Sequence, residues 1–261
     1  MKRVSKIAAL TIASLASLGS GLLSVTAMAQ TAAPAAAATP EFTGKVALYS
    51  EYEYRGISQT SEKPALQLNL DYANANGFYL GTFVSNIKWL KDLAKTGGVS
   101  TSAQLEIDVY GGFKTEVAKD LTLDVGVLTY IYPSSDVFKP KPNTTEIYAG
   151  VTSGAFNVKY SYATTNTFGT ANSKGSGFIE ANFTQEIAPK LVANAQLARQ
   201  VIKNNGDFSY TVYKLGLTYD LGDGWSAIGY FKGTNAKTGA YEYLGKDWSK
   251  SRLVIGVSKS F

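Results

Sequence analysis

At 261 residues, 45% of them hydrophobic, the chain is long enough for one all-β barrel domain, and its 17% charged residues fall below the roughly 25% usual in soluble globular domains. It contains no Cys and no His, which excludes a disulfide framework, Cys- or His-ligated metals, a Ser-His-Asp triad and a His general base. Lys2, Arg3 and Lys6 account for three of the 25 basic residues, so 22 remain against 20 acidic ones, and no Lys/Arg stripe offers a nucleic-acid footprint.

Residues 1–29 carry the pattern of a cleavable export signal. A basic start is followed by an apolar stretch over 7–25, softened by Ser14, Ser17, Gly19, Ser20 and Ser24, and then by Ala27-Met28-Ala29. Cleavage after Ala29 is expected. Residues 30–41 are rich in Ala and Pro and are expected to form a flexible tether.

From Phe42 to Phe261 the chain alternates with period two. Gln67, Asn69 and Asp71 alternate with Leu66, Leu68, Leu70 and Tyr72; Glu106 and Asp108 alternate with Leu105, Ile107 and Val109. Similar runs surround Lys159 and Lys214. The pattern predicts strands over 42–55, 63–74, 77–88, 101–114, 120–132, 143–153, 155–164, 176–187, 190–202, 208–220, 224–233 and 250–261, with no helix. A mean hydropathy near zero excludes a bundle of transmembrane helices.

The predicted connections alternate between short and long. Asn74-Ala75-Asn76-Gly77, Ser153-Gly154, Ala188-Pro189 and Gly222-Asp223-Gly224 have hairpin chemistry, whereas 56–62, 89–100, 133–142, 165–175, 203–207 and 234–249 are mostly longer. This asymmetry predicts a closed antiparallel transmembrane β-barrel of about twelve strands, with short periplasmic turns and longer extracellular loops. Closure is required because every backbone group must be paired in lipid. Aromatic girdles are expected at both ends: Phe42, Tyr72, Phe78, Phe113, Phe156, Tyr219, Trp225 and Phe261 on the periplasmic side, and Tyr52, Tyr54, Trp89, Tyr130, Tyr132, Tyr160, Tyr162, Phe178, Tyr210 and Phe231 on the other.

The segment Tyr54-Arg55-Gly56-Ile57-Ser58-Gln59-Thr60, with Gly77-Phe78-Tyr79-Leu80-Gly81, Ser85-Asn86 and Glu106-Ile107-Asp108-Val109-Tyr110-Gly111-Gly112, resembles the porin-like TorF family of proteobacteria. The resemblance runs over nearly the whole chain after the export signal, through Lys259-Ser260-Phe261. It implies an outer-membrane barrel and passive transport.

If the apolar face meets lipid, the alternate residues line the lumen. The candidates are Lys45, Glu51, Glu53, Arg55, Gln67, Asn69, Asp71, Gln104, Glu106, Asp108, Asp124, Lys159, Glu180, Asn182, Asn194, Gln196, Lys214, Asp220 and Arg252; facing is ambiguous for 77–88 and 224–233. Their charges are nearly balanced, so they either pair and constrict the lumen or flank an open channel. Glu51 with Glu53, or Glu106 with Asp108, has roughly the spacing of a glycosidase pair, but polar lumens hold carboxylates without catalysis. Arg55 is expected to brace its loop or to meet a passing anion. Arg199 falls in the apolar phase, where it would snorkel toward headgroups or meet a lipopolysaccharide phosphate. Asp220-Leu221-Gly222-Asp223-Gly224 reads as a hairpin turn rather than a calcium loop.

Neither catalysis, a cofactor nor a metal is implied. The expected partners are outer-membrane lipid and lipopolysaccharide, the barrel-assembly machinery through the strand ending at Phe261, and small polar solutes or ions, with no nucleic acid. A passive channel is the favoured reading. The alternative is a closed structural, receptor-like or adhesin-like barrel acting through its loops; an outer-membrane enzyme is the weakest of the three.

Overall fold

The computed structural model describes residues 41–261, so the expected export signal and most of the tether lie outside the described residues. Twelve strands, numbered here in chain order, close into one antiparallel barrel. They are β1 (Glu41–Tyr49), β2 (Ala65–Ala73), β3 (Phe78–Asn86), β4 (Leu105–Ala118), β5 (Leu121–Ile131), β6 (Thr144–Ser153), β7 (Phe156–Ala163), β8 (Gly177–Ala188), β9 (Leu191–Val201), β10 (Tyr210–Gly222), β11 (Trp225–Thr234) and β12 (Arg252–Ser260). Each strand pairs with its neighbours in sequence, and β1 closes the ring against β12.

The short turns are built from residues that tolerate a left-handed backbone. Asp120 (φ 58°), Lys190 (φ 67°) and Asp223 (φ 50°) occupy three of them, each beside a register shift in the adjoining pair of strands. In the β2–β3 turn, Asn74 Oδ1 accepts from the backbone N–H groups of Asn76 and Phe78, both at 3.0 Å.

The alternation decides facing. On β1 to β3 the odd-numbered residues point inward; on β4 to β6 and β8 to β12 the even-numbered ones do, and on β7 the odd-numbered ones. The two ambiguous strands thereby acquire a definite face. Tyr79, Phe83 and Ser85 of β3 and Ile228, Tyr230 and Lys232 of β11 point inward. The outer face is a belt of exposed Leu, Ile and Val, including Leu66, Leu80, Ile147, Leu197, Leu215 and Leu253.

Inside, large rings are accommodated by glycines on the neighbouring strand. Gly81 pairs with Tyr110, Gly112 with Tyr79, Gly126 with Tyr148, Gly216 with Tyr230 and Gly256 with Tyr49. At each glycine an added Cβ would collide with the partnered tyrosine. The missing side chain lets the ring lie across the adjacent strand rather than project toward the barrel axis.

Three expectations are corrected. The first strand ends at Tyr49, not near 55, because the chain turns inward after Ser50. Trp89–Thr96 forms helix α1, braced by a Lys88–Asp92 ion pair of 3.1 Å at i,i+4 spacing; eight residues are too few to give a clear helical period. The loop-end aromatic girdle is only partial. Tyr160, Tyr162 and Phe231 are exposed outside, but Tyr52, Tyr54, Tyr130, Tyr132, Phe178 and Tyr210 are buried inside, and Trp89 packs edge-on against Tyr132. At the turn end, Phe42, Tyr72, Phe78, Phe156, Tyr219, Trp225 and Phe261 are exposed on the outer face, with Phe113 half-buried against Phe78.

Candidate functional site

The connection 50–64 is a plug. After Ser50 the chain enters the barrel, and residues 51–61 are all buried. Within it, Glu53–Tyr54 and Ile57–Ser58 form a two-residue hairpin. Arg55 (φ 48°) and Gly56 (φ 85°) make its reversal. Gly56 is required there twice over, by its positive φ and because a Cβ would strike Thr234 of β11.

This hairpin crosses the interior and reaches strands far apart in sequence. Arg55 forms a bidentate ion pair with Glu146 of β6, at 3.0 and 2.7 Å, and donates to Gln200 of β9 at 2.9 Å. Its guanidinium also lies 4.2 Å from the ring centre of Phe178 and 4.9 Å from that of Tyr54. Glu53 pairs with Lys214 of β10 at 2.7 Å and accepts the backbone N–H of Gly56. Glu51 accepts from Ser58 at 2.9 Å, and Lys232 of β11 stands 3.9 Å from its other oxygen. Lys232 donates to the carbonyls of Gly56 (3.0 Å) and Trp248 (3.4 Å).

On the opposite side, Tyr52 donates to Glu106 of β4 at 2.5 Å, and the Tyr54 hydroxyl meets that of Tyr130 of β5 at 2.6 Å. Tyr52, Phe83, Leu90, Tyr110, Leu128, Tyr130, Tyr132 and Tyr148 form one buried cluster there. The plug is therefore held by ion pairs on one flank and by aromatic packing on the other. Because these charges are buried, each depends on its partner: a lone buried ion is far costlier than a paired one.

Toward the turn end the interior is polar and partly accessible. Lys159 of β7 pairs with Glu180 of β8 at 3.1 Å, and Gln196 donates to Glu180 (2.8 Å) and Asn182 (2.9 Å). Asn194 donates to Thr218 at 3.3 Å. Facing them, Tyr79 donates to Asp124 at 2.6 Å and touches the Tyr148 hydroxyl, with Lys114 3.9 Å from Asp124. Tyr110 donates to Asp71 at 2.5 Å. Lys45 shares this inward face of β1 and lies within electrostatic reach of Asp71.

The sequence-derived candidates thus fall into groups. Glu51, Glu53 and Arg55 belong to the plug, and Glu106 and Lys214 hold it. Gln67, Asn69 and Asp108 are buried in the barrel interior; Asp71, Asp124, Lys159 and Glu180 form the lower networks. Arg252 lies near the loop end and pairs with Glu62 at 2.7 Å. Two residues stand apart. Asp220 is exposed at the turn end, where its carboxylate accepts the Gly222 N–H at 2.8 Å, and Gln104 is exposed just before β4. Arg199 is exposed on the outer face and donates to Thr211 at 3.3 Å.

Glu146, Gln200, Lys232 and the tyrosines were not among the expected site residues. Glu146 is in phase with inward-pointing Tyr148, and Gln200 with Asn194 and Gln196, so phase alone was the signal that could have found them. Among the described residues, no cluster of carboxylates is arranged to hold a metal ion.

A closed twelve-stranded antiparallel barrel with an apolar outer wall and a polar interior has the architecture of a transmembrane β-barrel. The structure resembles the KdgM porin, with a TM-score of 0.52 and 11% identity over 84% of this chain and 99% of that one. It also resembles the NanC porin, with a TM-score of 0.53 and 13% identity over 85% and 99%. A structure of the KdgM porin in complex with disordered oligogalacturonate aligns at a TM-score of 0.50 and 11% identity, covering 84% of this chain and 98% of that one. At such identities the likeness is one of fold. By sequence, the model of a bacterial family of unknown function, Gcw_chp, matches residues 32–261, and the chain belongs to that family. No curated protein matches the sequence.

Proposed function

We propose that the protein is a porin-like channel of the outer membrane, passing ions or small polar solutes by passive diffusion through a lumen narrowed by the 51–61 plug. The observation that carries this reading is the two-faced wall. An apolar belt covers the outside, while paired charges, amides and hydroxyls line the inside, the division expected of a barrel with lipid around it and water within. The exposed aromatics at the turn end suit a membrane interface.

In this reading the turns are periplasmic and the plug enters from the outside. Export follows cleavage after Ala29, and residues 30–41 tether the barrel. The strand ending at Phe261 is presented to the barrel-assembly machinery, and the loop end meets lipopolysaccharide. The TorF resemblance at 54–60 falls on the plug and supports the same assignment. Twelve strands give a lumen between the filled interior of eight and the wide channel of sixteen. Because Arg55, Lys114, Lys159 and Lys214 each pair with an acid, ion selectivity is weak.

The test is conductance of the refolded protein in a planar bilayer under a salt gradient. Discrete steps with a reversal potential near zero are expected. Silence from protein shown to be folded would instead favour a closed barrel acting through its loops, a reading supported by the complete burial of 51–61.

A further inference from the structure

Three cations stand in one row on the inner wall. Lys214 of β10 lies directly opposite Lys232 of β11, and Lys232 lies directly opposite Arg252 of β12. All three occupy inward-facing positions, and the two lysine side chains are 4% and 0% exposed. Residues opposed in this way have their Cβ atoms about 5 Å apart, so like charges there repel. Taken by itself, the row destabilises the wall that carries it.

One segment of chain offsets that repulsion. Glu53 pairs with Lys214 at 2.7 Å, Glu51 stands 3.9 Å from Lys232, and Glu62 pairs with Arg252 at 2.7 Å. Each cation is answered by a carboxylate, and all three carboxylates lie in the connection 50–64. A permanent plug does not need this chemistry, because apolar side chains of similar volume fill a buried site as well or better. Carboxylates differ from apolar packing in being exchangeable: a dissolved acid can offer the same groups to the same cations. The outermost pair is also the least buried, with side chains 23% and 31% exposed. A cavity of about 320 Å³, lined by Ser50, Glu51, Glu62, Arg252 and Leu253, adjoins it.

We propose that the row of Lys214, Lys232 and Arg252 is the binding site of a small solute carrying two or three carboxylates. The plug is a built-in stand-in for that solute, which enters by way of Arg252 and displaces it. The inference rests on the porin-like reading above, in which solutes reach the lumen, and names the class of solute. With the plug seated, the chain itself occupies the site. The apparent affinity for the solute is therefore reduced by the fraction of molecules in which the row is free.

The experiment uses the protein refolded in neutral detergent, with folding checked by its heat-modifiable mobility. Because the chain has no Cys, Gln59→Cys supplies a single thiol at a plug position only 8% exposed. The backbone carbonyl of residue 59, which accepts from the N–H groups of Lys88 and Trp89, is kept. Maleimide labelling should be slow at rest and should accelerate roughly tenfold in millimolar tricarballylate, reporting an equal gain in the displaced state. Acetate at matched carboxylate concentration and sodium chloride at matched ionic strength should leave the rate unchanged. Adding Glu51→Gln and Glu53→Gln removes the competitor, so the calorimetric Kd for tricarballylate should fall by about tenfold or more. If that variant fails to fold, labelling of the Gln59→Cys protein decides alone. No acceleration by tricarballylate, equal acceleration by acetate or salt, or an unchanged or weaker Kd in the folded variant would overturn the site. Silent bilayers from protein whose labelling still responds to tricarballylate would count against conduction, not against the row.

Discussion

Arg55 and Glu146, ninety-one positions apart in sequence, meet inside the barrel as a bidentate pair at 3.0 and 2.7 Å. One lies on a loop and the other on the wall. The pair therefore fixes where the plug sits as well as contributing to its stability.

Removing one member leaves the other charge buried and unpaired, which costs about 3–5 kcal/mol. Arg55→Gln should lower the unfolding free energy measured by urea titration by that order and raise single-channel conductance as the plug loosens. Adding Glu146→Gln should recover part of the stability but not the original conductance. A double-mutant cycle on both quantities checks this. Additive losses would mean that the two side chains act independently.

The glycines beneath the interior tyrosines should resist substitution. At Gly112 a Cβ would overlap the Tyr79 hydroxyl and the Val125 carbonyl, so Gly112→Val should destabilise the folded barrel by about 1–3 kcal/mol. Gly154, at φ 53° in an open turn, has nothing within 4 Å of such a Cβ. Since Asn tolerates that backbone, Gly154→Asn should change stability by less than about 1 kcal/mol. Urea titration of folding into vesicles separates the two outcomes.

Acid should release the outer edge of the plug. Partial burial pushes the Glu62 carboxyl up, but the Arg252 hydrogen bond and charge, with Lys246 and Lys232, outweigh it and hold the group below its ordinary 4.5. A depressed carboxyl stabilises the fold at pH above its unfolded value and loses that contribution as pH falls through the folded one. The Glu62–Arg252 anchor should therefore hold above the ordinary carboxyl value of 4.5 and weaken progressively as the pH falls below it, with a loss of no more than ~1 kcal/mol because the pair is partly exposed. Limited proteolysis of the 50–64 loop across this range, beside Glu62→Gln, reads the effect; the variant should lose the pH dependence.

The tryptophans report on the assignment of faces. Trp225 is exposed on the outer wall near the turn end, whereas Trp248 is 1% exposed and buried beside the plug. In single-tryptophan variants, bromine-labelled acyl chains should quench Trp225 strongly and Trp248 hardly at all. Equal quenching would contradict the description of the outer belt as the lipid-facing surface.

Much of this architecture was legible in the sequence. Strand count, antiparallel order and the position of the short turns all follow from alternation and turn residues. The plug was not legible because it imitates a strand: Glu51, Glu53 and Arg55 alternate with Tyr52 and Tyr54 as regularly as any wall segment. Only Arg55-Gly56 marks the reversal, and Gly has many other uses. The misplaced girdle has a different cause. Tyr130 is in phase with Asp124, and Phe178 with Glu180, so period two already pointed both rings inward; composition at strand ends carries no such information. Pairings such as Arg55 with Glu146 depend on how a loop crosses the lumen, which no local pattern encodes.

The bonds joining Gly44 and Phe261, 2.8 and 2.9 Å in the two directions, connect residues near opposite ends of the described chain. A sheet closed in this way offers no early resting point. Every intermediate has two free strand edges, and the last strand must find the first after all the others are in place. The β1–β12 pairing joins the strands farthest apart in sequence, so the sheet keeps two open edges until it forms, which predicts slow completion and aggregation wherever that step is delayed.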